Sequence, residues 1–257
     1  MTTRRTILFN GLALGSSVLL GARLSAAAET PLTVAVLGAT GRTGKFIVGD
    51  LLARGHAVRG ISRRAGAQPP QDGVTWISAD VRRPESMGPA LEGVDALIYA
   101  VGVTFSEVEV SDLYDVYHTG VADTAEVAIR TGVKRFVLLS SAGRSPAGWM
   151  PERLAPSMDA KARGEAVLRA SGIHYTISRT PGLSDRPGGE YGIMLLQSEP
   201  IPPGGPFMIC REDSASVLVE CAVSEKAINT TFTVLNAITP EVGIWRDALQ
   251  YLQQDPV

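Results

Sequence analysis

The chain has 257 residues, 45% of them hydrophobic and 19% charged, with a formal net charge of -2; that length carries one α/β domain or two small ones. Its 27 glycines and 16 prolines are dispersed along the chain and it has only two cysteines, which excludes collagen-like, disordered and disulfide-scaffold classes. Charge is unevenly placed: the first 28 residues hold Arg4, Arg5 and Arg23 and no acidic residue, so without them the net charge falls from -2 to -5.

Residues 1–28 run from the Arg4-Arg5 head through an apolar stretch, Gly11 to Leu20, to Ser25-Ala26-Ala27-Ala28 before Glu29. A charged head, a short apolar middle and a small-residue end is the order of an export signal peptide, with cleavage expected near Ala28. The apolar stretch falls short of the ~20 residues that span a bilayer, so membrane contact is expected only transiently, during export; an uncleaved anchor is the alternative. The paired arginines resemble the twin-arginine export signal, whose pathway carries folded proteins, although two arginines in an ordinary secretory signal give the same residues. The expectation is a single domain, 29–257, in the periplasm or otherwise exported.

From Leu32 onward, short β-branched runs alternate with longer helical patterns, the signature of βαβ units and a mostly parallel, doubly wound sheet. Strands are expected at Thr33 to Leu37, Ala57 to Ser62, Thr75 to Ser78, Ala96 to Ala100, Arg135 to Leu139 and His174 to Ser178. Helices are expected at Thr43 to Arg54, Pro84 to Leu91, Leu113 to Thr131 and Met158 to Ser171, with Gly55 and Gly172 available as left-handed caps. A Pro/Gly-rich stretch follows Thr180. Beyond it come a strand near Phe207, a helix from Asp213 to Val223, a strand from Phe232 to Leu235 and a last helix from about Pro240. Cys210 and Cys221, at a strand end and on the following helix, would lie roughly 15 Å apart at the helical rise, which predicts two buried thiols and no disulfide.

The first strand runs directly into Gly38-Ala39-Thr40-Gly41-Arg42-Thr43-Gly44, which opens a helix. Glycines there permit a tight turn, backbone approach to a pyrophosphate and close helix–strand packing, while free N–H groups at the helix start face the anion. A dinucleotide site is therefore expected at Gly38, Thr40, Gly41, Arg42, Thr43 and Gly44. The second strand ends in Ser62-Arg63-Arg64, with no carboxylate to hold a ribose 2′-hydroxyl. Arg63 and Arg64, with Arg42 near them, suit a 2′-phosphate, so NADP(H) is expected in preference to NAD(H); a solvated basic turn is the plain alternative. Asp80-Val81 and Ala100-Val101-Gly102 follow later strands and belong to the same crevice. Asp80 is placed either at the adenine amine or as a helix cap before Pro84.

These residues carry a resemblance to the atypical short-chain dehydrogenases/reductases, in their NAD(P)H-binding, NmrA-like branch. It rests on Gly38-Ala-Thr-Gly-Arg-Thr-Gly44, on Gly132-Val-Lys-Arg-Phe-Val-Leu-Leu-Ser-Ser141, on Lys161 with Glu165 followed by Ser171-Gly-Ile-His-Tyr-Thr-Ile-Ser-Arg-Thr-Pro-Gly-Leu183, and on Ile209-Cys-Arg-Glu-Asp-Ser-Ala215. The resemblance implies an α/β Rossmann-type sheet with a small C-terminal lobe on the substrate side, about 180–257. It also implies a Ser, Tyr and Lys set with the Tyr four residues before the Lys, one helical turn away. Lys161 is in place, Ser157 stands where the Tyr would be, and Ala142 stands where the family serine often falls. Ser141 or Ser140 is then the candidate hydrogen-bond donor to a substrate oxygen. Lys161 is assigned to the nicotinamide ribose, or else to an i, i+4 pair with Glu165. Pro181 is expected to close over the nicotinamide end, and Arg179 to anchor that loop.

Tyr117 and His118 sit on the helix expected from Leu113 to Thr131, facing either the cleft or the core. The three histidines have no mutual metal spacing, and no metal site is expected. An acidic mature chain with scattered basic residues gives nucleic acid no electrostatic footing. Three functions stand against one another. The first is an exported NADP(H)-dependent oxidoreductase acting on a small quinone, flavin-like or carbonyl substrate. The second is an NADP(H)-binding sensor or assembly factor without turnover, and the third a sugar-nucleotide-type isomerase. The oligomeric state is left open.

Overall fold

A computed structural model of the chain describes residues 30–103, 109–142, 152–197, 208–237 and 244–256. The chain divides into two compact units, Met1–Thr30 and Pro31–Val257, and the described elements all belong to the second. The expected export signal lies outside the described residues. Among the described residues no helix is long and apolar enough to cross a membrane.

The first strand, β1 (Thr33–Leu37), shows why a sheet forms. Val34, Ala35, Val36 and Leu37 are all fully buried, and the two-residue period of a strand sends them to opposite faces. Val34 and Val36 join one core with Ile47, Leu51 and Leu218, while Ala35 and Leu37 join the other with Leu91, Val121 and Leu168. A strand so buried needs helices on both faces, and burying each Val or Leu side chain contributes about 1.5–3 kcal/mol. One face is covered by α1 (Gly44–Ala53) and α6 (Arg211–Val223). The other carries α2 (Gly88–Leu91), α3 (Val110–Tyr114), α4 (Gly120–Arg130) and α5 (Ala155–Ala170).

The remaining strands are β2 (Ala57–Ser62), β3 (Val74–Ser78), β4 (Ala96–Tyr99), β5 (Arg135–Ser141), β6 (His174–Thr180), β7 (Leu183–Ser184), β8 (Ile193–Leu196), β9 (Ile209–Cys210) and β10 (Thr230–Asn236). The main sheet has the order β3-β2-β1-β4-β5-β6-β10-β8. Its pairings are parallel except the last, where β8 runs antiparallel to β10. This is the expected doubly wound α/β sheet. Because β1 is flanked by β2 on one side and β4 on the other, the strand order reverses there, which opens a crevice at the carboxyl ends.

Several elements differ from expectation. The helix expected from Leu113 starts at Val110, and one turn of it, Asp115–Thr119, is a π-helix between α3 and α4. The helix expected from Met158 starts at Ala155, because Pro156 fits the first turn, where its missing N–H costs nothing. The strand β7 and the antiparallel edge strand β8 carry no clear sequence signal, being short runs between Pro/Gly-rich segments. The strand placed near Phe207 falls at Ile209–Cys210, Phe207 itself lying outside the described residues, as does the expected helix start at Pro240; α7 (Trp245–Ala248) follows. Gly55 and Gly172 take φ of +82 and +85 as left-handed caps. Cys210 and Cys221 are both buried and free.

Candidate functional site

The residues expected to bind cofactor or carry the reaction sit at the carboxyl edge of the parallel strands or on α5 beside it, while Tyr117 and His118 lie on the π turn. At β1 the turn is built by sterics. Gly38 has φ +84, and a Cβ on it would lie 2.7 Å from the Ala100 carbonyl oxygen at the end of β4. A Cβ on Gly44 would be driven into the Gly38 carbonyl oxygen and to 2.8 Å from Ala39 Cα. The glycines thus let β1, β4 and α1 meet at van der Waals distance. The Gly38 and Ala39 amides are consumed by the Ile61 carbonyl, and the Gly41 amide donates to Gly38 at 2.8 Å. Those of Thr40, Arg42, Thr43 and Gly44 make no hydrogen bond to a described residue. Four free donors at a helix start fit a pyrophosphate.

The end of β2 places Arg63 and Arg64 in solvent, without an ion-pair partner among the described residues. Arg42, expected beside them, instead forms an ion pair with Asp185, just after β7. Asp185 also takes Arg211 of α6 at 2.9 Å. The side chain of Arg42 therefore points from the glycine turn toward the C-terminal lobe.

Asp80, just after β3, is engaged by Arg82 and does not cap the helical turn Pro84–Ser86, which has no side-chain cap. Its carboxylate accepts from the Arg82 amide at 3.1 Å and from the Arg82 guanidinium at 2.8 and 3.2 Å. Hydrogen bonds from Arg82 hold its carboxyl below the usual carboxylate range. Val81 is buried in the core. At β4, the Ala100 amide donates to Leu37, Gly102 is exposed, and the Val103 amide donates to Tyr117 Oη at 3.1 Å.

The two serines ending β5 have different partners. Ser140 is buried and donates to Glu165 at 2.6 Å. Ser141 accepts from Lys161 Nζ at 2.6 Å. Glu165, expected opposite Lys161, is instead held by Arg179 at 2.6 Å and Arg169 at 3.1 Å, so the helical pair with Lys161 does not form. The ammonium of Lys161 lies 4.7 Å from the centroid of the Tyr117 ring, and burial pushes it down to about 8, with Glu165 opposing the shift. Tyr117 comes from the π turn, whose backbone α5 can approach because Gly164 has no Cβ to strike the Tyr117 carbonyl. π turns recur at functional sites, a signal that helical periodicity hides. His118, the next residue, is half-buried. Ser157, where the resemblance would place a tyrosine, is 2% exposed. Pro181 follows β6 at the same edge, and Gly182 accepts from Ile209 where β7 and β9 pair.

A separate cavity of about 240 Å³ lies in the C-terminal lobe between Gly188, Tyr191, Glu212, Asp213, Trp245 and Arg246. It touches none of the residues above.

Sanguinarine reductase of Eschscholzia californica is 27% identical over 243 aligned positions, covering 78% of this chain and 88% of that one. The photosystem II assembly factor Ycf39 of Synechocystis is 29% identical over 172 positions and 66% of this chain. The chain spans 51% of the length of that relative. The crystal structure of the oxidoreductase ylbE from Lactococcus lactis superposes with a TM-score of 0.71 over 86% of this chain and 96% of that one. At 23% identity this is a likeness of fold. Residues 38–225, from the glycine turn to the end of α6, match the NAD(P)H-binding family, and the chain belongs to that family of Rossmann-like domains.

Proposed function

We propose that the chain is an exported NADP(H)-dependent oxidoreductase acting on a small quinone, flavin-like or carbonyl compound. The observation that carries this reading is the Lys161–Ser141 hydrogen bond at the carboxyl edge of the sheet, in line with the glycine turn that fits a pyrophosphate. Thr40, Gly41, Arg42, Thr43 and Gly44 would hold the pyrophosphate, Arg63 and Arg64 the 2′-phosphate, and Ala100 to Gly102 would pass the adenosine and ribose. Lys161 would reach the nicotinamide ribose and Pro181 would close over the nicotinamide end. When bound, the nicotinamide supplies or accepts two electrons and a hydrogen. Ser141 would orient the acceptor oxygen. Similarity to a sanguinarine reductase supports the oxidoreductase reading. Purified protein assayed for NADPH oxidation against quinone, flavin and carbonyl panels tests the reading, and no oxidation with any of them overturns it.

A second reading, an NADP(H)-binding assembly or sensor protein without turnover, is favoured by Ser157 at the tyrosine position and by similarity to Ycf39. Nucleotide released from the purified protein, unchanged in redox state after acceptors are added, would select it. Export rests on the residues of 1–28 alone, and the mass of protein recovered from the periplasm tests it: cleavage near Ala28 is expected.

A further inference from the structure

We propose that the cavity of the C-terminal lobe is a second binding site, for a small zwitterion of amino-acid size that carries both an ammonium and a carboxylate. The proposal goes beyond the oxidoreductase reading and does not depend on it.

The loop before β8 supplies one wall by sitting directly on the first turn of α6. A Cβ on Gly188 would lie 2.9 Å from the Glu212 side chain and 3.0 Å from Asp213 Oδ1. The Gly188 amide donates to Glu212 at 3.0 Å and the Gly189 amide to Asp213 at 2.9 Å. The Asn236 side-chain amide donates to the second Asp213 oxygen at 2.7 Å. All three donors are neutral, and no described cation forms an ion pair with either carboxylate. A helix dipole favours acids in a first turn, but its partial charge does not neutralise two carboxylates side by side on a cavity wall.

The α7 segment brings the opposite sign. Arg246 lines the same cavity, with its guanidinium 4.5 Å from the centroid of the Trp245 ring. It shares Glu220 with Arg54 and Lys226, at 3.5, 2.8 and 3.6 Å respectively, and Arg54 also takes Asp50. Three cations thus meet two carboxylates in that cluster, which leaves positive charge where Arg246 reaches the cavity. Trp245 is 4% exposed and lines the cavity, yet its indole N–H donates to no described group. Buried indole N–H groups ordinarily find an acceptor; this one is a donor for a ligand.

A ligand carboxylate that takes the Trp245 N–H and Arg246, with an ammonium that donates to Glu212 and Asp213, matches both signs at once. A lone cation would meet Arg246 and a lone anion the two carboxylates. Tyr191 and Ile193 offer apolar surface to a side chain. The volume, about 240 Å³, lies below the ~300–1,000 Å³ of pockets for drug-sized ligands, which suits an amino acid and excludes a dinucleotide.

Calorimetric titration of the full-length protein tests this with L-leucine and L-phenylalanine, each beside the amine that lacks its carboxylate and the acid that lacks its ammonium. An amino acid should bind, and loss of either charge should weaken binding about tenfold or more. Glu212→Gln keeps an acceptor for the Gly188 amide at an exposed position, and should weaken the amino acid and the amine but not the acid. Arg246→Gln should weaken the amino acid and the acid but not the amine. Trp245→Phe keeps a ring in place and removes the N–H, which should weaken the amino acid by about 2- to 10-fold. Failure of both amino acids to bind at millimolar concentration overturns the proposal, as does an amine or acid that binds as tightly as its amino acid. Amino-acid binding unchanged in Glu212→Gln or in Arg246→Gln overturns it too. NADPH oxidation is not the readout, so each of these failures leaves the oxidoreductase reading standing.

Discussion

Arg42 on the glycine turn is ion-paired to Asp185, 143 residues further along the chain, and the same carboxylate takes Arg211 from the start of α6. The contact therefore ties the phosphate-side turn to the C-terminal lobe. Both partners of the first pair are largely exposed, at 69% and 59%, so its worth to folding is small, ~0–1 kcal/mol. Its larger effect is on charge: Asp185 places a carboxylate beside the turn where an anionic cofactor would bind. Asp185→Asn should leave the thermal midpoint nearly unchanged and tighten NADPH several-fold at low salt, an effect that shrinks as ionic strength screens it. Calorimetric titration at two salt concentrations checks this, and weaker binding in the variant would contradict it.

Arg63 and Arg64 bear on cofactor choice. Neither forms a close ion pair with a described carboxylate, although Arg63 acts through space on Asp80, and the β2 end carries no acid that a ribose hydroxyl could use. If they take the 2′-phosphate, charge-assisted hydrogen bonds worth about 1.5–3 kcal/mol are lost on truncation, about 10- to 100-fold in Kd. Arg63→Ala and Arg64→Ala should weaken NADPH by that order and NADH by less than about threefold. Equal losses for the two cofactors would remove the assignment to a 2′-phosphate.

The division of labour between the two serines gives a stability experiment. Glu165 is 3% exposed and is satisfied by Ser140, Arg169 and Arg179. Removing one partner of a buried charge cluster strands the others. Glu165→Ala should cost about 3 kcal/mol in denaturant unfolding, and Ser140→Ala about 1.5 kcal/mol. The double variant should cost less than their sum, because the two residues share one interaction. Ser141→Ala removes the acceptor of the Lys161 ammonium and should cost about 1–3 kcal/mol.

What the sequence made legible follows from the range of the forces involved. The glycine turn could be read because local backbone geometry demands those residues, and β1 because a strand covered on both faces must be apolar throughout. The pairing of Lys161 with Glu165 was a sound local inference that tertiary structure overrode. Ser140 and Arg179 stand opposite one another in the β5–β6 register, and together they draw the Glu165 carboxylate to the sheet and away from Lys161. That register depends on strands nearly 40 positions apart, which no local spacing encodes. The π turn escaped notice because an inserted residue shifts the helical phase without changing composition, and with it went the placement of Tyr117 over Lys161. Asp185 was invisible for the same reason as Arg179's partner: its significance arises only when the lobe meets the glycine turn.

Lys161 also leaves a mark on stability that needs no cofactor. Burial lowers its pKa to about 8 in the folded chain, against about 10.4 in the unfolded one. Below about pH 8 both states hold the proton and stability is independent of this group. Between about 8 and 10.4 the unfolded state binds the proton and the folded state does not, so stability rises with pH, and above that range it levels off. The sign is that of a depressed pKa: the stability is complete above the unfolded value and lost as pH falls through the folded one. Other lysines and tyrosines titrate in the same window, so the measured quantity is the difference between wild type and Lys161→Met in unfolding free energy from pH 7 to 10.5. That difference should shift toward the wild type as pH rises. A difference that stays flat would mean that Lys161 is solvated like a surface lysine, and that Tyr117 and Ser141 do not enclose it.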